Sequence, residues 1–307
     1  MPIPFACPYC QEQTLVEDEF AGQSGPCAKC GKSITVPYIP PDEQFAENEI
    51  VTGIVHRPGA SAKIVILVTI GAVLAGAAAI GLVVAFLFPA LGMARNLAHS
   101  HNCDQNLTRI GLALQAYEAD HGTLPPAFVP GPDGKPMHSW RVLLLPYLDE
   151  HGLYSNYDFL QPWDSPHNQL LATRMPAVFA CPADPDSRSL GESNYMVVVG
   201  PATMFPGSDA RSTGMIGDDL ASTITVVEVP IFGINWLASE DLTVEKMQFT
   251  INGGFGQEIG SYHTKGAHVL MADGEVKFLN DALPSDFIEG MTTVNGGELI
   301  PWDILRN

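Results

Sequence analysis

Apolar and polar positions along this 307-residue chain change pattern three times. Residues 1–37 carry too few apolar side chains to form a core of their own. Residues 38–63 are polar and proline-bearing with no apolar period, and read as a linker. Residues 64–88 are an unbroken apolar run, and no charged side chain occurs from 64 to 94. At 1.5 Å per residue, 25 helical residues cross a hydrocarbon core of about 30 Å. A buried core helix of that length would keep a polar face, so the run predicts a transmembrane helix. Beyond Pro89, Cys103, Leu107, Ile110, Leu114 and Tyr117 recur at helical spacing. His121-Gly122 and then Pro125-Pro126 end that stripe. One helix therefore leaves the membrane, its outer half packing an apolar face onto a globular domain of residues 89–307.

In that domain the pattern shortens. Residues 140–148 and 168–175 predict short helices, and residues 195–200 and 222–229 predict buried strands. Residues 267–279 alternate about Asp273-Gly274, predicting a hairpin with a two-residue type I′ turn. That register puts Val269 and Met271 on one face with Val276 and Phe278, and turns Glu275 and Lys277 the other way.

Cysteine spacing adds chemistry. Cys7-x-x-Cys10 and Cys27-x-x-Cys30, 16 residues apart, have the spacing of a four-thiolate zinc ribbon. Such a site is closed and tetrahedral, so Zn²⁺ would be structural and would supply the folding energy of residues 1–37. Two disulfides are the alternative. Thiolate ligands need a reducing compartment, which places the N-terminus in the cytoplasm and residues 89–307 outside. Cys103 and Cys181 then lie where disulfides persist; they read as a pair, with two separate buried thiols as the alternative.

The net charge is −19, and from Arg95 onward 11 Lys and Arg face 26 Asp and Glu. An acidic body of that kind excludes charge-driven binding of nucleic acid. Paired acids at Asp184/Asp186 and Asp218/Asp219 are candidate Ca²⁺ ligands without EF-hand spacing, and solvated turns explain them as well. Small residues four apart at Gly71, Ala75 and Ala79 suit helix association in the span.

Several motifs together carry a family resemblance. They are the span running into Leu87-Phe-Pro-Ala-Leu-Gly-Met-Ala-Arg95, then Cys103-Asp-Gln-Asn-Leu-Thr-Arg-Ile-Gly-Leu-Ala-Leu114 and His121-Gly-Thr-Leu-Pro-Pro126. Ser139-Trp-Arg-Val-Leu-Leu-Leu-Pro-Tyr147, Pro162-Trp-Asp-Ser-Pro-His-Asn168 and Phe179-Ala-Cys-Pro182 follow, and His263 precedes Asp273-Gly274 by a nine-residue spacer. The chain resembles, over residues 86–280, the bacterial pilin-like family called domain of unknown function 1559. The resemblance implies an α+β fold of pilin type, with a long N-terminal transmembrane helix packed on an antiparallel sheet, here preceded by a small zinc ribbon. It implies a single-pass protein of the bacterial inner membrane but brings no established activity. Pilins are cut just before the apolar run and carry Glu at the fifth mature position. Here the corresponding residues are Gly59 and Ile64, and the span holds no acid, so an uncleaved protein is expected.

The signature residues invite a catalytic reading, but Asp273-Gly274 suits a hairpin turn and His263 is placed to bond its backbone. A ligand or general-base role for His263 is the alternative. The expected function is non-enzymatic: an envelope protein meeting lipid through residues 64–88 and associating with itself or with protein partners. A membrane-tethered hydrolase or carbohydrate-binding protein is the second reading, and a zinc-ribbon membrane regulator the third.

Overall fold

A computed structural model describes residues 2–38, 62–230, 233–254, 256–298 and 300. Of the expected linker, residues 39–61 lie outside the described residues, as do Gly59 and Trp302. The chain divides into two compact units, residues 1–80 and 81–307.

The first unit opens with two antiparallel hairpins. Strand β1 (Ile3–Ala6) pairs with β2 (Gln13–Val16), and β3 (Ser24–Pro26) with β4 (Ser33–Thr35). Each hairpin turns through a Cys-x-x-Cys segment closed the same way: the Gln11 amide donates to Cys7 O at 2.8 Å and the Gly31 amide to Cys27 O at 2.9 Å. Both turns require a left-handed residue, Gln11 at φ 58° and Gly31 at φ 68°. Glycine takes that conformation freely, while glutamine pays a steric cost.

Helix α1 (Ala62–His121) follows and crosses the boundary between the units. From Thr69 it contains an 18-residue stretch of mean hydropathy 2.5, none of it buried. A core helix as apolar as this would be covered. By length and composition, therefore, this segment can span a membrane. Its C-terminal part behaves differently. Cys103, Leu107, Ile110, Ala113 and Leu114 are fully buried, as the stripe predicts. The helix stops where Gly122, at φ 79°, donates to Glu118 O at 2.7 Å.

The body then begins with a small hairpin, β5 (Phe128–Pro130) and β6 (Pro136–Ser139). Short helices α2 (Trp140–Leu143), α3 (His151–Asn156), α4 (Pro166–Gln169) and α5 (Ser187–Leu190) come next. Residues 140–148 form α2 and a 3-10 turn, as expected. Residues 168–175 do not make one helix: α4 starts at Pro166, and a separate 3-10 turn covers Ala172–Arg174. The centre is a five-stranded sheet ordered β13-β12-β8-β7-β9. It comprises β7 (Tyr195–Val199), β8 (Ile224–Glu228), β9 (Leu242–Thr243), and, after the pair β10 (Gln248–Ile251) and β11 (Glu258–Ile259), β12 (Gly266–Met271) and β13 (Val276–Asn280). All of its pairings are antiparallel except β7 with β9. Helix α6 (Ser285–Thr292) closes the order.

Both faces of the sheet are covered. On one face Tyr195, Val197, Val226 and Leu270 share a core with Leu107, Ile110 and Leu114 of α1. Gly111 permits this approach, since a Cβ there would stand 2.9 Å from Leu270 Cδ1. On the other face Val227, Val269 and Met271 pack with Ile288 and Met291 of α6. Six consecutive buried residues in β12 follow from this double cover.

The β12–β13 hairpin corrects the expected register. Met271 N donates to Glu275 O at 2.8 Å and Gly274 N to Met271 O at 3.0 Å, and only Gly274 of the turn has positive φ, at 89°. This is a three-residue loop with a left-handed glycine, not a two-residue type I′ turn, which would need positive φ at both central residues. The extra residue slips the pairing by one. Leu270 faces Val276, His268 faces Phe278, and Val269 faces Lys277. Val269 and Met271 therefore do not share a face with Val276 and Phe278, because a one-residue slip exchanges the faces of a strand.

Candidate metal centre and a buried histidine–glutamate cluster

The four N-terminal cysteines converge. Cys7 Sγ and Cys30 Sγ are 3.8 Å apart, as are Cys10 Sγ and Cys27 Sγ, and all four sulfurs lie within 4.8 Å of one another. A tetrahedral ion with metal–sulfur bonds near 2.3 Å sets sulfurs about 3.8 Å apart, so these four residues can hold a metal ion. The loops also tune the sulfurs. Backbone N–H groups of Cys30 and Lys29 point at Cys27 and bring its thiol down to about 6. At Cys10 the Glu12 amide lowers the pKa, but desolvation and the three neighbouring sulfurs outweigh it and push it up to about 12. Lys29 also pairs with Glu12 across the two knuckles.

The body holds a second convergence, around the other two cysteines. Cys103 of α1 and Cys181, in the loop before α5, stand at disulfide distance with Cα atoms 5.5 Å apart. Asn194 fixes the loop, its Oδ1 accepting from the Cys181 amide at 2.7 Å, and Asn106 of α1 donates to Ala180 O at 2.9 Å. Against the sulfurs lies Glu228, the last residue of β8 and 1% exposed. Its Oε2 accepts from the His268 amide at 2.7 Å and contacts His268 Nδ1 at 3.0 Å. Its Oε1 faces His263 Nε2 at 3.5 Å, and that same nitrogen is 3.6 Å from Cys181 Sγ. His268 Nε2 in turn meets Ser100 Oγ of α1 at 3.1 Å.

Electrostatics explain how a carboxylate survives there. Burial pushes Glu228 up, but the imidazoles of His263 and His268 beside it hold its carboxyl below the usual 4.5. Tyr195, paired with Glu228 across β7 and β8, is raised well above 10 by burial and then by the Glu228 charge. His99 is lowered by burial, by Arg95 and by His263.

The structure separates the signature residues. His263 does not bond the Asp273-Gly274 turn. It lies ahead of β12 beside the sulfurs, whereas Asp273 and Gly274 follow β12 at its other end. There Asp273 Oδ1 accepts from the Glu275 amide at 2.9 Å, and a Cβ on Gly274 would meet Gln115 of α1 at 2.5 Å. The signature thus fits both ends of one hairpin against one helix.

The acidic pairs are engaged locally. Asp184 accepts from the Asp186 amide at 3.0 Å and from Asn194 Nδ2 at 2.8 Å. Asp218 accepts from the amides of Gly296 and Gly297, each at 2.9 Å, and Asp219 caps the 3-10 turn Leu220–Ser222. Among the described residues neither pair joins a larger group of ligands. Trp140 and Trp236 are core residues, and Trp163 packs at the core's edge.

Glu228, His268 and Ser100 have no place in the sequence reading. The available signal was an acid interrupting the apolar run 222–229 and a histidine within a buried strand. The ion pair Arg141–Asp241 was missed too. Its 2.7 Å contact is sealed from solvent, with Arg141 also donating to Tyr195 O at 2.8 Å and Asp241 accepting from the Val197 amide at 3.0 Å.

No curated protein and no solved structure matches the chain. A family model does, over residues 93–236 and 241–286. Those matched segments contain the Cys103–Cys181 pair, Glu228, both histidines of the cluster and the turn at Asp273, and the chain belongs to the family described as a protein of unknown function, DUF1559.

Proposed function

We propose that this is a non-enzymatic, single-pass envelope protein of pilin-like build, anchored in the bacterial inner membrane through residues 64–88. The observation that carries the reading is the change along α1: an exposed, uncharged apolar stretch continues without a break into a stripe buried on the sheet. That arrangement is the one pilin-type proteins use, a helix half in lipid and half in the body. In this reading the four N-terminal cysteines form a structural zinc ribbon on the cytoplasmic side, and the acidic body, net −15 from Arg95 onward, stands outside and meets protein partners. Chain order supports the separation, because the apolar stretch lies between the cysteine hairpins and the body.

A hydrolase needs an accessible cleft with carboxylates about its histidine. The His263 side chain is 5% exposed and faces a single carboxylate and a sulfur pair, which favours the non-enzymatic reading. The anchor is tested by replacing Leu74 and Val83 with Arg and extracting membranes at alkaline pH. We expect the unaltered chain to stay with the membrane and the variant to be released. Release of both, with the body still folded, would overturn the anchor.

A further inference from the structure

We propose that Cys103, Cys181, His263 and Glu228 form a second metal site, which takes a divalent ion of the zinc type when the two sulfurs are reduced and is closed when they are joined. The proposal is independent of the anchor and of the N-terminal zinc reading. Four candidate ligand atoms, two Sγ, His263 Nε2 and a Glu228 oxygen, all lie within 4.8 Å of one another. Nε2 is 3.6 Å from Cys181 Sγ and 3.5 Å from Glu228 Oε1. Ligands bonded to one tetrahedral zinc at about 2.0–2.3 Å stand roughly 3.3–3.8 Å from each other. His263 Nε2 therefore already stands at ligand spacing from Cys181 Sγ and from Glu228 Oε1, while the two sulfurs, at disulfide distance here, have to separate to that spacing on reduction.

A second observation points the same way. Glu228 Oε1 is buried and accepts no hydrogen bond among the described residues; His263 Nε2, 3.5 Å away, is beyond good bonding distance. Its sister oxygen is fully engaged by the amide and Nδ1 of His268. One oxygen is thus held in place and the other left open, facing an imidazole nitrogen and a sulfur. Leaving a buried carboxylate oxygen unpaired is costly, and a metal ion would satisfy it. His268, itself held by Ser100 at 3.1 Å, is a positioning residue that aims the carboxylate.

A dithiol donates two electrons and two protons to the Cys103–Cys181 bond, giving two thiols and its own disulfide. Binding of the ion then displaces the two thiol protons to solvent and forms two metal–sulfur bonds. Disulfide sulfurs are poor ligands, so reoxidation by an external disulfide, which takes up the two electrons and two protons and leaves as two thiols, re-forms the Cys103–Cys181 bond and expels the ion.

The test uses the full chain in detergent with Cys7, Cys10, Cys27 and Cys30 replaced by Ser, so that the N-terminal site is silent. Co²⁺ is titrated before and after treatment with a dithiol, and circular dichroism checks that the reduced body stays folded. We expect no thiolate-to-cobalt absorption before reduction and one equivalent after it, displaced by Zn²⁺. His263→Ala or Glu228→Gln should abolish that equivalent, and His268→Ala should weaken it about 10–100-fold. Reduced, folded protein that binds no Co²⁺, or binding that survives both His263→Ala and Glu228→Gln, would overturn the proposal. Because the reduced unsubstituted body is itself measured, a variant that fails to fold leaves the result decisive.

Discussion

At the scale of single residues, the body is held by a few buried polar groups that hydropathy cannot reveal. Arg141 and Asp241 are sealed together, and burial pushes Asp241 up while Arg141 opposes it. Removing one partner strands the other, so Arg141→Met should cost about 3–5 kcal/mol. Replacing both with apolar residues should cost less than the sum, as read from urea midpoints. A single-variant loss under about 1 kcal/mol would contradict this pairing. Glu228 gives a pH prediction. Its folded pKa is depressed below 4.5, so its stabilisation is present above that value and is lost as pH falls through the folded pKa. The thermal midpoint should fall on acidification below 4.5, and Glu228→Gln should flatten that slope while lowering the midpoint at neutral pH. An unchanged slope in the variant would remove the carboxylate from the account. Neither group was legible in advance, because one acid or one arginine in a chain of this charge looks like any other until the strands bring it inside.

At the scale of elements, periodicity succeeded where one face dominates. The stripe from Cys103 to Leu114 is buried as its spacing predicts, and β7 and β8 fall within the expected strands. It failed at β12, where all six residues are buried and alternation carries no sign of which face is which. The turn residues Asp273-Gly274 marked the hairpin correctly, but they fit both a two- and a three-residue loop, and the difference exchanges the faces. The pairing of Cys103 with Cys181 staples α1 to the loop before α5 across 78 residues. On the chain-entropy account that closure stabilises by roughly 4 kcal/mol. Reduction in the presence of a chelator should lower the denaturation midpoint correspondingly, and no change would mean the closure is not restraining the unfolded chain.

At the scale of the whole molecule, two features stood out in the sequence: clustered Cys-x-x-Cys pairs, and an uncharged run ahead of an acidic body. The four N-terminal sulfurs meet, as their spacing requires. The pairing of Cys103 with Cys181 was also read in advance, but the meeting of Glu228 and His263 with it stayed hidden, because these residues come from separate segments and share no spacing. The most direct test of the central claim is protease protection in sealed spheroplasts, with antibodies to each unit. The account predicts that residues 89–307 are degraded from outside while residues 1–38 are degraded only after lysis. Degradation of both units from outside, or protection of both, would contradict it.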